Sequence, residues 1–227
     1  MFTVHHLNNS RSQRVLWLLE ELEFTYQIKF YQRDVKTMLA PPELKKVHPL
    51  GKSPILQDND YTIAETGAIF SYLLAKYGNG PLAPSFDTKD GIALQHWLHY
   101  AEGSAMPPLL MKLVFDRMPL NTSFLMRPVV KQVCKKAMTA FVQPRLQEHI
   151  DYWEKSLSKT GWFAGNKFTA ADMIMSFPLE AAASRAGADK SEIIMDFLSR
   201  IHARPAYQTA LAKGGEYAYA KAQVTNS

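Results

Sequence analysis

The chain has 227 residues, of which 47% are hydrophobic and 21% are charged, an ordinary composition for a globular protein that buries its own core. Its single cysteine, Cys134, excludes an internal disulfide and a zinc ribbon, which fits a reducing compartment. The formal net charge of +5 comes from scattered lysines and arginines rather than a dense basic face, which argues against a nucleic-acid partner.

The apolar residues are distributed without a membrane-spanning run. No segment of about 18 residues is continuously apolar, and the first residues lack the cationic and apolar regions of a signal peptide. We therefore expect a soluble, cytoplasmic protein with no membrane partner.

The first elements along the chain predict a strand, a polar loop, a helix and a second strand. Alternating polarity predicts strands at residues 2–7 and 26–31. Helical spacing of apolar residues predicts a helix between them, at residues 15–22. The positive N-terminal end of this helix would point into loop 8–12, an arrangement suited to ligand binding. The adjacent His5 and His6 point to opposite faces of a strand, so a structural role is favoured over a metal site.

A hairpin and a further helix follow. Residues 55–57 and 61–64 alternate as two short strands joined at 58–60. Thr66 begins an apolar-periodic helix that ends at Gly78. The N-terminal part of the chain is therefore predicted to have the order βαβ followed by ββα.

Two residue pairs beside this hairpin are candidates for ligand contacts. Pro54 precedes a strand, and a cis Ser53–Pro54 bond would turn the backbone N–H and C=O of Ser53 outward, where they can pair with an extended peptide. Glu65 and Thr66 stand at a helix start, where free N–H groups and a carboxylate suit a small zwitterion. Without a ligand, Pro54 would be an ordinary strand-entry proline and Glu65–Thr66 an ordinary N-cap.

The rest of the chain predicts a helical bundle. We expect a first domain, a linker and a helical domain at residues 1–80, 81–90 and 91–227, because glycines and prolines break the chain near the linker. Apolar residues then recur at helical spacing, as at Val129 and Val133. Residues 105–111, with two prolines, should interrupt and bend the first long helix. Flexible methionines also occur in this part of the chain, and they either fill the core or line an apolar pocket. They are Met106, Met111, Met118 and Met126.

A capping box is the clearest local signal in the helical part. Thr169 is the expected N-cap, and Asp172 three residues later reaches back to its N–H. This pair predicts stability rather than chemistry.

These motifs, in this order, resemble the cytosolic glutathione transferases. Members carry a strand-entry cis-proline, here Ser53–Pro54, and a Glu/Gln-Ser/Thr pair that opens a helix, here Glu65–Thr66. They also carry a Thr-x-x-Asp box after a Gly-aromatic-Phe-x-Gly run, here ending in Thr169 to Asp172. The resemblance implies an α/β thioredoxin-like domain followed by an all-α bundle, with glutathione as co-substrate and no metal.

The resemblance also implies a serine-type active site of the bacterial and fungal kind. No cysteine occurs in the first loop, which argues against thiol exchange and against the cysteine-type transferases. Ser10, four residues before Arg14, best matches the hydroxyl that holds the sulfur. Ser12 and the Asn9 amide are the alternatives, and either serine could instead be an N-cap.

The other contacts to glutathione follow from the same resemblance. Ser53 would hold the cysteinyl backbone, and Glu65 with Thr66 would hold the γ-glutamyl end. Lys52 or a basic residue nearby would neutralise the carboxylate of the glycine end.

The activity implied is conjugation of the glutathione thiolate to small hydrophobic electrophiles, as in detoxification, by a homodimer. Glutathione-dependent peroxidase, dehalogenase or isomerase activity is compatible with the same site. A non-catalytic interaction module on the same fold is the alternative from another class of protein.

Overall fold

The computed structural model of the protein describes residues 1–78 and 80–220. Its N-terminal domain has the predicted order, with a short 3₁₀ helix, Pro42–Lys46, between the two units. The strands and helices are β1 (Phe2–Leu7), α1 (Ser12–Glu21), β2 (Tyr26–Tyr31), β3 (Ile55–Asp58), β4 (Tyr61–Ala64) and α2 (Thr66–Tyr77).

The four strands form one mixed sheet in the order β2-β1-β3-β4. Strand β1 runs parallel to β2 and antiparallel to β3, and β3 runs antiparallel to β4. Almost every residue of the central strand β1 is buried, whereas β2 at the edge exposes alternate side chains. This topology confirms the predicted thioredoxin-like domain.

The C-terminal domain is a helical bundle, as predicted. Its α-helices are α3 (Lys89–Tyr100), α4 (Met106–Arg117), α5 (Arg127–Ala137), α6 (Gln143–Thr160), α7 (Ala170–Arg185), α8 (Glu192–His202) and α9 (Pro205–Gly214). No helix in residues 1–78 or 80–220 is both long and apolar enough to cross a membrane.

The predicted interruption of the first long helix is a π-helical turn, Ala101–Ala105, between α3 and α4. Pro107 and Pro108 follow it and lack the N–H groups that would bond the carbonyls four residues earlier. The wider π-helical turn accommodates those carbonyls. The interruption therefore begins at Ala101, four residues before the predicted range of 105–111.

The two domains share a hydrophobic core. Trp17 of α1 is fully buried, and its ring centroid lies 5.0 Å from that of Tyr207 on α9 and 5.7 Å from that of Phe168. Because large aromatic side chains dominate core energetics, this packing holds α1 against the helical domain.

Helix α7 begins with the predicted capping box. The Asp172 carboxylate accepts a hydrogen bond from the Thr169 N–H at 2.7 Å, and the Thr169 hydroxyl accepts one from the Ala171 N–H at 3.2 Å. Asp172 also accepts a hydrogen bond from the Phe163 N–H at 2.8 Å, which the sequence did not predict. The buried carboxylate therefore joins the helix start to the loop before it.

Candidate functional site

Three predicted site segments meet at one edge of the sheet. His5 of β1 pairs with Ile55 at the start of β3, and Ile55 pairs with Ala64 at the end of β4. The loop after β1, the Ser53–Pro54 bond before β3 and Glu65 after β4 therefore leave the sheet on the same side. The strand directions alone bring these segments together.

The Ser53–Pro54 peptide bond is cis, as predicted. The Ser53 hydroxyl donates to the backbone carbonyl of His5 at 2.8 Å and accepts from the N–H of Leu7 at 3.2 Å. The Ser53 side chain thus continues the hydrogen bonding of β1 beyond the start of β3. Both of its bonds are made within the protein. Within residues 1–78 and 80–220, the backbone N–H and C=O of Ser53 bond to no other backbone group.

Glu65 is the N-cap residue of α2 and has the unusual backbone angles φ 70° and ψ 125°. Positive φ is uncommon for a side chain of this size, and such residues cluster at functional sites. The Glu65 side chain makes no capping hydrogen bond and is exposed, while Thr66 is buried. A carboxylate and the free N–H groups of a helix start are therefore open at this edge.

The first loop carries a buried pair of serines. The Ser10 and Ser12 hydroxyl oxygens lie 2.7 Å apart, and Ser10 Oγ also accepts the backbone N–H of Ser12 at 3.2 Å. Ser12 Oγ lies 2.9 Å from Nδ1 of His6. The assigned N-cap of α1 is Arg11, whose side chain makes no capping bond, and Ser12 is the first helical residue. The Ser10 hydroxyl accepts the Ser12 N–H as a capping side chain does, so a capping role for Ser10 stays compatible with the structure.

The two histidines of β1 have separate structural partners, as their alternation predicts. His5 Nδ1 lies 2.9 Å from the Tyr31 hydroxyl, and its Nε2 lies 2.8 Å from Gln57 Oε1. His6 instead contacts the hydroxyl of Ser12, the first residue of α1. Burial lowers the pKa of His6 to about 4, so its imidazole is neutral at pH 7.

Known families match this chain in both domains. The glutathione S-transferase N-terminal domain model matches residues 2–75, and the C-terminal domain model matches residues 122–214. Glutathione S-transferase 3 of Schizosaccharomyces pombe is 38% identical over 80% of this chain and 74% of its own length. Glutathione S-transferase 1 of Saccharomyces cerevisiae is 34% identical over 92% of this chain and 94% of its own. The chain belongs to the glutathione S-transferase family.

Solved structures agree with this membership. A crystal structure of a glutathione S-transferase from Actinobacillus pleuropneumoniae superposes with a TM-score of 0.83 and is 31% identical, covering 97% of this chain and 96% of that chain. A sphingomonad glutathione S-transferase complexed with glutathione shares the fold, with a TM-score of 0.70 and 20% identity over 94% of this chain and 98% of that chain. The family uses glutathione.

An ion-pair cluster that no sequence motif predicts lies between the two domains of the transferase. Arg14 is fully buried, and its Nη2 lies 2.6 Å from Glu102 Oε1 in the π-helical turn. Arg11 pairs with the other oxygen of the same carboxylate, and Arg14 also donates to the carbonyl of Ile174. A buried arginine requires a partner, and the sequence indicated this only by placing Arg14 directly before the apolar run of α1.

A second missed contact involves the chain after α9. The side-chain oxygen of Asn9, which has a φ of 50°, accepts the backbone N–H of Ala218 at 2.7 Å. Tyr217 is buried in the same segment and donates through its hydroxyl to Glu180. Residues 215–220 thus fold back against the first loop of the transferase.

Lys52 is the residue predicted to contact the glycine end of glutathione. It is exposed, two residues before Pro54, in the loop that carries the cis bond. Its role at the glycine end of glutathione therefore stays a prediction.

Proposed function

We propose that this protein conjugates the thiolate of glutathione to small hydrophobic electrophiles, using a serine-type site at the sheet edge. The observation that carries the proposal is the meeting of the first loop, the Ser53 backbone and the open Glu65 at one edge of the sheet. A peptide bound there would pair with Ser53 and direct its amino group to Glu65.

Ser53 and Glu65 would divide the peptide between them. The free N–H and C=O of Ser53 pair with the cysteinyl backbone, as one more strand would. The γ-glutamyl end carries both an amine and a carboxylate. Its amine pairs with the Glu65 carboxylate, and its carboxylate takes the N–H groups at the start of α2, beside Thr66. Lys52 neutralises the glycine end.

Ser10 is the proposed donor to the sulfur. A free thiol has a pKa near about 8.5, so most glutathione is a thiol at neutral pH. A hydrogen bond to a charged group contributes about 1.5–3 kcal/mol, which corresponds to roughly one to two pKa units. This is enough to make the thiolate common at pH 7. The amide nitrogen of Asn9 and the hydroxyl of Ser12 are the alternative donors.

The electrophile would bind between the first loop and α4. The ion pair of Arg11 with Glu102 ties that loop to the turn that precedes α4. Met111 of α4 is exposed, and so is Met118 directly after that helix, whereas Met106 is buried in the core. Exposed flexible methionines suit varied apolar substrates.

A homodimer in the cytoplasm completes the proposal. Large apolar side chains are exposed in and near α5, with Phe124 82% and Leu125 84% exposed, and exposed apolar patches mark association surfaces. A light-scattering mass near the 25.7 kDa of one chain at micromolar concentration would contradict the dimer.

The proposal is tested by glutathione affinity, measured calorimetrically for Glu65→Ala and Glu23→Ala. Glu23 is a matched control, since it is also exposed and has a positive φ of 57°, but it follows α1 at the other end of the sheet. We expect glutathione binding to weaken in Glu65→Ala and to stay at the wild-type value in Glu23→Ala. Equal affinities in the two variants would contradict the proposed site.

A further inference from the structure

Hydrogen bonds connect Ser10 through Ser12 to His6, which lies beside the end of α9. Ser10 Oγ lies 2.7 Å from Ser12 Oγ, and Ser12 Oγ lies 2.9 Å from His6 Nδ1. The backbone of Gly214, at the end of α9, lies against the His6 ring and offsets part of the lowering of its pKa, the effect of an acceptor that faces the ring. All three side chains are buried, so bulk water does not compete for these bonds.

The Gly214 contact fixes which nitrogen of His6 carries the proton. A backbone carbonyl can only accept, so the His6 nitrogen facing Gly214 is protonated, and this is Nε2 because Nδ1 faces Ser12. The backbone approaches closely here, since a Cβ on Gly214 would lie 3.4 Å from His6 Cε1 and 2.5 Å from Gln13 Oε1. In the neutral ring, Nδ1 is then an acceptor.

The direction of the remaining bonds follows from this tautomer. Ser12 has one hydroxyl proton and donates it to His6 Nδ1, which is nearer than the Leu7 carbonyl oxygen at 3.5 Å. The 2.7 Å contact between the two serines therefore uses the proton of Ser10. Ser10 Oγ in turn accepts the backbone N–H of Ser12 at 3.2 Å.

A thiol and a thiolate make opposite demands on Ser10. A thiol can donate to the free lone pair of Ser10 Oγ without disturbing the chain of bonds. A thiolate is only an acceptor, so Ser10 must turn its proton from Ser12 to the sulfur. The bond to Ser12 is then lost.

We propose that Ser12 and His6 are positioning residues that hold the Ser10 hydroxyl inward, so that a bound thiolate gains its hydrogen bond only when Ser10 releases Ser12. The inference rests on the proposed role of Ser10 as the sulfur donor. It adds that two buried residues which never touch the ligand oppose ionisation of the thiol. Because the lost bond joins two neutral groups, we expect it to raise the pKa of the bound thiol by about 0.5–1 unit.

The test is the pH titration of thiolate absorbance in the complex with glutathione. Ser12→Ala removes the competing acceptor and keeps the backbone N–H, so we expect the pKa of the bound thiol to fall by about 0.5–1 unit. His6→Leu should have the same direction of effect, because Ser12 then turns its proton to Ser10. His6→Asn keeps an acceptor near the position of Nδ1 and should retain the wild-type value.

The outcomes separate this inference from the proposed function. Ser12→Gly, which also removes the hydroxyl and keeps the backbone N–H, replaces Ser12→Ala if the latter does not fold. An unchanged or raised thiol pKa in folded Ser12 variants overturns the inference, and the proposed function still stands if Ser10→Ala raises that pKa. If Ser10→Ala leaves the thiol pKa unchanged, Ser10 is not the donor and the proposed assignment itself fails.

Discussion

The side-chain oxygen of Asn9 and the backbone N–H of Ala218 are joined by a 2.7 Å hydrogen bond across 209 positions of sequence. Asn9 precedes the proposed sulfur donor, and Ala218 follows the last described helix. The contact therefore ties the residues directly after α9 to the first loop, which carries the proposed sulfur donor.

Asn9→Ala should release that segment. We expect amide hydrogen exchange of Ala218 to become faster, because its N–H loses its acceptor. Asn8→Ala is the matched control, since the Asn8 side chain accepts the N–H of Arg33 at 2.9 Å instead. If exchange at Ala218 is unchanged in Asn9→Ala, this contact does not hold the segment.

Glu102→Leu should be among the most destabilising single changes, since it leaves the buried Arg14 without its carboxylate. Removing one partner of a buried ion pair costs about 3–5 kcal/mol. Replacing both partners by apolar residues, in Arg14→Met with Glu102→Leu, should cost less than Glu102→Leu alone. Urea unfolding at pH 7 measures both free energies. A double variant that is less stable than the single variant would contradict this account of the pair.

Asp172→Ala should lower the free energy of unfolding by about 2–4 kcal/mol, because two buried N–H groups, of Thr169 and Phe163, lose their acceptor. The capping box alone predicts about 0.5–2 kcal/mol. Asp196→Ala on the exposed face of α8 is the control and should change stability by under about 0.5 kcal/mol. Glutathione affinity of folded Asp172→Ala should equal that of the wild type. A weaker affinity without a loss of stability would contradict a purely structural role.

The pKa of His6 gives the fold a specific sensitivity to acid. Burial lowers this pKa from 6.5 to about 4, so folding favours the neutral ring. The resulting stability is present above pH 6.5 and is lost as the pH falls from 6.5 towards 4. The difference corresponds to about 3 kcal/mol.

His6→Asn removes this titration and should flatten the decline of the unfolding free energy between pH 6.5 and 4. The exposed His99→Asn is the control and should keep the wild-type profile. Chemical denaturation at a series of pH values makes the comparison. Parallel profiles for His6→Asn and the wild type would contradict the role of the buried ring.

Local motifs predicted the sheet edge, because strand alternation, the proline before β3 and the pair at the start of α2 are each encoded within a few residues. The capping box at Thr169 was predictable for the same reason. The Glu102 partner of Arg14 and the Ala218 partner of Asn9 were not, because each lies far away in sequence and is selected by the packing of whole helices.

Periodicity also left the buried face of α5 undetermined. The spacing of Val129 and Val133 correctly predicts a helix, yet both side chains are exposed. Cys134 of α5, and Met138 directly after that helix, are buried instead. Apolar spacing identifies a helix, but it does not tell which of two apolar faces the bundle covers.

The central claim, that Ser10 donates to the sulfur, is tested most directly by titrating thiolate absorbance in the complex of glutathione with Ser10→Ala. We expect the pKa of the bound thiol to rise by about one to two units, and turnover at saturating glutathione and neutral pH to fall with it. Glu65→Ala should weaken binding and leave that pKa at the wild-type value. A Ser10→Ala complex with the wild-type thiol pKa and wild-type turnover would contradict the account.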